Sequence, residues 1–242
     1  MTCSTKRCIE VFAILATAIL AAATGRSATA ATTTYFGADA SILPSFPNSQ
    51  AANNSFSASL SQSGTDTLDS YTPASGPDPT NHPNLSFGGT AITATEAFAG
   101  VQASGSIGLD ITPFNTLLAV PALAPDTMQL SAPVTAFGSY FLNAGDDPNI
   151  PDTLSLQLGN SVTNTSQTVT IGTFGPGASN FNGAFFGVTT SIPFDTVTLL
   201  QTNPGDGVLL DNITVGTAVP EPSSLLMLLG GAAGLGLLVR RR

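Results

Sequence analysis

Residues 31–219 hold twelve Asp, Glu96 and a single imidazole, His82, and no Lys, Arg or Cys. Their chemistry is limited to carboxylates, hydroxyls and that imidazole. A Ser-His-Asp triad would have to use His82, which sits in Asn81-His82-Pro83 within a Pro-rich loop, where a base has no fixed geometry. No Gly-x-Ser-x-Gly elbow occurs, and no cation is available to meet an oxyanion or a phosphate. Glycoside hydrolysis needs two opposed carboxylates. Asp is plentiful, but nothing singles out a pair, and Glu96 is the one Glu of the stretch. No catalytic residue is assigned and no enzymatic activity is expected.

Asp211 is the carboxylate whose position asks for an explanation. On a strand from Val208 to Val215 it falls in phase with Leu209, Ile213 and Val215, which predicts a place on the core face. A buried carboxylate needs a cation or several hydrogen bonds, and this stretch has no Lys or Arg to offer. Three answers are open: backbone N–H donors, a proton, or a bound cation. Ca²⁺ suits a site of carboxylate and carbonyl oxygens, so Asp211 is a candidate metal ligand. Asp146, Asp147 and Asp152 form a second acidic group in the loop 143–152, but without the Gly and closing Glu of an EF-hand loop. They read as solvated turn residues. Tyr35, Tyr71 and Tyr140 are the candidates for stacking on a sugar ring, in a chain without the larger face of Trp.

The whole chain has 242 residues and a net charge of −9, a figure that hides a division. All six Lys and Arg and both Cys lie outside residues 31–219, where the thirteen acidic residues stand alone. Such a surface repels phosphate backbones, so nucleic-acid binding is excluded. The absence of Cys leaves that stretch without a disulfide, a thiol nucleophile or a thiolate metal site.

The elements that must position these residues are β-strands. Val101, Ala103, Gly105, Ile107, Leu109 and Ile111 alternate with polar residues and Gly108, the mark of a half-buried strand. Val134–Leu142 is apolar on both parities, as for a strand covered on both faces. Leu154, Leu156 and Leu158 alternate with polar residues, as do Val169 and Ile171. Gly183–Thr190, Phe194–Gln201 and Val208–Val215 follow, and the turn Asn203–Gly207 predicts a hairpin between the last two. Residues 31–89 offer one or two edge strands and much irregular chain, with a Pro-rich loop at 71–83. Short strands at this spacing predict an all-β fold, an antiparallel sandwich or jelly roll over residues 31–219.

The flanks carry targeting signals. Lys6-Arg7, an apolar run from Val11 to Ala23, and small residues ending at Ala28-Thr29-Ala30 have the layout of a secretory signal peptide over residues 1–30, with cleavage after Ala30. Near the other end, Pro220-Glu221-Pro222 precedes an uncharged apolar run and then Arg240, Arg241 and Arg242. As a helix, 223–239 would be about 26 Å long at about 1.5 Å per residue, enough to cross a bilayer with snorkelling Arg side chains. The positive-inside rule keeps the arginines in the cytoplasm and puts residues 31–219 across the membrane.

Pro-Glu-Pro, a Leu- and Gly-rich apolar run and an Arg cluster, in that order, resemble the PEP-CTERM sorting signal of bacterial exported proteins, a tail also labelled an ice-binding protein C-terminal domain. The resemblance covers residues 219–242. It implies that Pro220, Glu221 and Pro222 are recognised by a membrane-embedded processing enzyme of the exosortase type, a partner that cuts near the tripeptide and releases or transfers the ectodomain. The stretch from about Gly183 to Gly216, a Phe-rich strand before a hairpin ending in an Asp-Asn pair, also resembles the last strands of many such ectodomains. Together these readings predict an exported structural or interaction protein of the cell envelope or extracellular matrix. The alternative is a carbohydrate-binding sandwich of the exopolysaccharide, with Ca²⁺ as a possible cofactor.

Overall fold

The computed structural model describes residues 31–40, 45–72, 84–96, 100–103, 116–120, 125–145, 147, 149–175, 183–203 and 207–219. The signal segment 1–30 with Ala28 and Ala30, most of the loop 71–83 with His82, the sorting tripeptide Pro220–Pro222, the run 223–239 and Arg240–Arg242 lie outside them. From Thr32 onward the described residues belong to one compact unit. No helix among them is long and apolar enough to cross a membrane.

Eleven strands and one helix are described. In chain order they are β1 (Thr32–Asp39), α1 (Pro47–Ala58), β2 (Leu60–Asp66), β3 (Asn84–Ser86), β4 (Thr93–Glu96), β5 (Gly100–Ala103), β6 (Thr116–Val120), β7 (Asp126–Leu142), β8 (Asp152–Asn160), β9 (Thr165–Phe174), β10 (Gly183–Gln201) and β11 (Val208–Ala218). All strands belong to one sheet with the path β5-β6-β11-β7-β10-β8-β9. β1 adds to β10, β2 to β11, and the β3–β4 pair to β7, and every ladder is antiparallel. The fold is all-β and sandwich-like, as expected, with the sheet folded over its own core.

Two long strands make the fold-over. β10 pairs with β1 through Gly183–Thr190, then with β8 through Thr196–Gln201, and changes neighbour across a bulged stretch between Thr189 and Thr196. Bulges bend strands and let one strand serve two layers. The sequence suggests two strands here because Thr189, Thr190, Ser191 and Pro193 interrupt the apolar pattern; the structure carries the chain through as one. β7 does the same, pairing with β4 near Met128 and with β11 from Ala136 onward. Between the layers lies a core containing Met128, Phe137, Phe141, Leu154, Leu156, Phe186, Val188, Val197 and Val215.

The expected hairpin between the last two strands does not form. β10 and β11 each pair with β7, which lies between them. The partner of each strand is set by which apolar face must reach the core. The long alternation 101–111 is represented by β5 alone, since residues 104–115 fall outside the described set.

Helix α1 is absent from the sequence reading. Its residues are rich in Asn and Ser, poor helix formers, and the chain gives only Ala52 and Phe56 as buried apolar positions on it. Its stability comes from packing. It covers the outer face of the layer built from β1, β10, β7 and β11, burying Phe56 against Tyr140, Phe185, Ala136 and Leu209. This explains the double-sided apolar pattern of Val134–Leu142: Phe137 and Phe141 face the inner core, Ala136, Tyr140 and Leu142 the helix. Phe56 fits because the strands beneath it carry glycine. A Cβ at Gly138 or Gly187 would stand 2.6 Å from its ring.

Candidate functional site

Without Lys or Arg, several carboxylates of the domain are held by N–H and O–H donors. Asp39, at the end of β1, accepts from Asn48 N (3.2 Å), Ser49 N (2.9 Å) and Ser49 Oγ (2.7 Å). It thereby caps α1, whose own N-cap, Phe46, has no capping side chain. Burial works to raise its pKa, but these hydrogen bonds outweigh it and hold the carboxyl below its ordinary value. Asp66, on β2, accepts from Leu68 N (2.9 Å), Tyr71 Oη (2.6 Å) and Ser86 N (2.8 Å), which joins β2 to β3. Asp195 receives the backbone N–H (2.8 Å) and the hydroxyl of Ser161.

Of the acidic loop residues, Asp147 is a turn residue as expected. It accepts from Asn149 N (2.8 Å) and Ile150 N (3.2 Å), and the Asn149 N–H is the main cause of its lowered pKa. Asp152 corrects the sequence reading. It opens β8, is fully buried, and its Oδ1 accepts from Thr202 N and Asn203 N, both at 3.0 Å. Alternation alone misplaces it because the N–H groups that stabilise it lie fifty residues away. Asp146 is outside the described residues.

Asp211 is buried, at 2% exposure, but the expected phase with Ile213 and Val215 does not hold. The register of β11 against β7 shifts between Asp211 and Thr214, where Asn212 takes a left-handed φ of 49° that Asn tolerates better than most residues. Ile213 and Val215 enter the inner core, while Leu209 lies under α1 and Asp211 stands opposite Tyr140. Its Oδ1 accepts from Asn212 N at 2.5 Å. Burial is the largest influence on this carboxyl and pushes its pKa up to about 8 against that hydrogen bond, with Asp69 and Asp66 adding to the rise.

Among the described residues no three Asp, Glu, His or Cys side chains gather into a metal cluster. Both oxygens of Asp66 are already occupied by donors. Among the described residues the Asp211 carboxylate has one backbone donor, Asn212 N.

Tyr140 is buried and Tyr35 and Tyr71 are half-buried, and each is engaged within the fold. Tyr140 is buried, receives Asn53 Nδ2 at 3.2 Å and packs edge-on against Phe185 at 5.2 Å. Tyr35 packs edge-on against Phe56 at 5.6 Å. Tyr71 donates to Asp66 and reaches the Asn84 carbonyl at 3.0 Å. The aromatic ring that is half exposed is Phe36, on β1, at 49%. Across from it on β9 is Gly172, where a Cβ would touch the rings of Phe36 and Phe174 at 3.7 and 3.9 Å.

The other notable position is where the folded domain meets its tail. The end of β11 pairs with the start of β2, Thr217 with Gln62 and Ala218 with Leu60 across a register shift. Ala218 N donates to Thr135 Oγ1 at 2.8 Å, Ser61 Oγ donates to the Thr217 carbonyl at 3.1 Å, and Val219 N donates to the Ser59 carbonyl at 2.9 Å. The sheet thus holds the chain up to the residue before Pro220. Residues 218–242 match the family model of the PEP-CTERM protein-sorting motif.

The chain carries a PEP-CTERM sorting motif. That motif marks an exported protein handled at the membrane, in agreement with the sequence reading. The domain ahead of it is less easily placed: no curated protein matches the chain. Among solved structures, it is similar to two variants of a family 29 carbohydrate-binding module at 13% and 16% identity. Each comparison covers 67% of this chain and 99% of that one, with TM-scores of 0.32 and 0.31. A further family 29 carbohydrate-binding module is similar at 15% identity over 68% of this chain and 98% of its own, with a TM-score of 0.29. Likeness at that level carries no argument about the ligand of the domain ahead of the PEP-CTERM motif.

Proposed function

We propose that the protein is a structural or interaction component of a bacterial cell envelope or extracellular matrix. Residues 1–30 are removed on export, with cleavage after Ala30. The run 223–239 then holds the chain in the inner membrane, with Arg240, Arg241 and Arg242 in the cytoplasm and the acidic domain outside. An exosortase-type enzyme recognises Pro220, Glu221 and Pro222 and processes the tail. The observation that carries this reading is the sorting motif at 218–242, joined directly to a β-domain with no Lys, Arg or Cys. Fractionation of cells with and without the sorting enzyme tests it. The domain is expected in the envelope or medium when the enzyme is present and in the inner membrane when it is not; an unchanged distribution would overturn the reading.

A second reading, binding of matrix polysaccharide, is favoured by one feature, the half-exposed ring of Phe36 on β1, which lies within reach of Gly172 on β9. Exposed aromatic faces stack on sugar rings. A glycan array with the wild type and Phe36→Ala decides it: signals lost in the variant support binding there, and an array without signals removes the reading.

A further inference from the structure

The domain reaches its sorting motif with no spacer. Val219 is tied to Ser59, and Pro220 follows at once. From Val219 to Ser223, where the apolar run begins, four residues span at most about 14 Å of extended chain. A membrane-embedded enzyme that works on this tripeptide must draw the residues around it into its own cleft. A strand whose N–H and C=O groups are committed to a sheet cannot be drawn in until those bonds open.

The end of β11 divides into a part that can open and a part that cannot. Thr217 and Val219 are exposed and Ala218 half exposed, so releasing these three residues uncovers little apolar surface. Immediately before them the strand is locked. Gly216 lies so close to β2 that a Cβ would stand 2.3 Å from the Gln62 carbonyl, and Val215 is fully buried in the inner core. Opening beyond Gly216 would pull Val215 out of the core, so local opening stops there.

We infer that Thr217–Val219 is a latch: the sorting enzyme acts on Pro220–Pro222 only while these three residues have left the sheet, so the fold of the domain sets the rate of processing. This rests on the sorting reading above. Residues that the described structure holds by Ser61 Oγ, Thr135 Oγ1 and the Ser59 carbonyl become, once released, the extended segment the enzyme engages. Processing then follows the population of the open form, as cleavage does when opening and closing are fast.

The test follows the processing rate of the full chain by pulse-chase in cells that carry the sorting enzyme. Three variants are compared: an insertion of eight Gly and Ser residues between Val219 and Pro220, the pair Gln62→Cys with Thr217→Cys, and the motif variant Glu221→Ala. Gln62 and Thr217 are direct partners in the ladder, and the domain has no other Cys to confuse the pairing. The latch predicts processing about tenfold faster for the insertion, about tenfold slower for the disulfide and restored by reductant, and lost for Glu221→Ala. If Glu221→Ala blocks processing while the insertion leaves the rate unchanged, the latch is overturned and the sorting reading stands. If Glu221→Ala is processed normally, the sorting reading fails and the latch with it.

Discussion

A carboxylate in a domain without Lys or Arg has only N–H and O–H donors to turn to, and Asp39, Asp66, Asp152 and Asp195 each find two or three. Asp211 finds one backbone donor and sits near two other carboxylates. Its folded pKa of about 8 lies above the ordinary carboxyl value of 3.8. Between those values the folded chain keeps a proton that the unfolded chain has lost, so its contribution to stability is full at low pH and is lost as pH rises toward and through 8. Asp211→Asn, neutral at every pH, is expected to flatten the fall in urea midpoint between pH 5 and pH 8; an unchanged slope would show that another group is responsible. Asp39 has the opposite sign: its lowered pKa stabilises above the ordinary carboxyl range and that contribution fades as pH falls. Loss of the cap in Asp39→Ala should cost about 1–2 kcal/mol, read as a drop in urea midpoint at pH 7. That Asp211 is buried could be read from its apolar neighbours. Its face could not, because the bulge at Asn212 breaks the period-two count, and the partners of Asp152 and Asp195 come from distant loops.

Among the elements, the alternating strands at 154–158 and 169–171 were legible, and so was the burial of Val134–Leu142 on both sides. What covers the second side was not. Helix α1 has weak intrinsic propensity and exists because Phe56 fills a recess floored by Gly138 and Gly187. Phe56→Ala is expected to lose about 3–5 kcal/mol. Gly187→Ala, which drives a methyl into the same ring, is expected to lose about 1–3 kcal/mol. Equilibrium unfolding by two probes measures both, and a Phe56→Ala protein as stable as wild type would mean the helix does not hold the layer. The missed hairpin has a similar origin. A turn sequence does not choose a strand's partner, and β7 lies between β10 and β11, with its two faces serving the inner core and the helix at once. The division of 183–201 into two strands fails for the same kind of reason: a bulge reads in sequence as an end, and in the structure it is the bend where β10 changes neighbours.

The whole molecule separates working parts by charge. Positive charge and Cys lie outside residues 31–219, in segments that read as export and membrane signals, while the domain is acidic and free of cations. The sorting motif at 218–242 begins inside the last strand, so folded domain and signal share residues Ala218 and Val219. Export followed by processing at this junction would join the two ends of the chain in one route. The most direct measurement is the intact mass of the mature protein recovered from cells that carry the sorting enzyme. The expected chain begins at Ala31 and ends near Pro220–Pro222, without the apolar run 223–239. A mature protein that retains residues through Arg242 would contradict it.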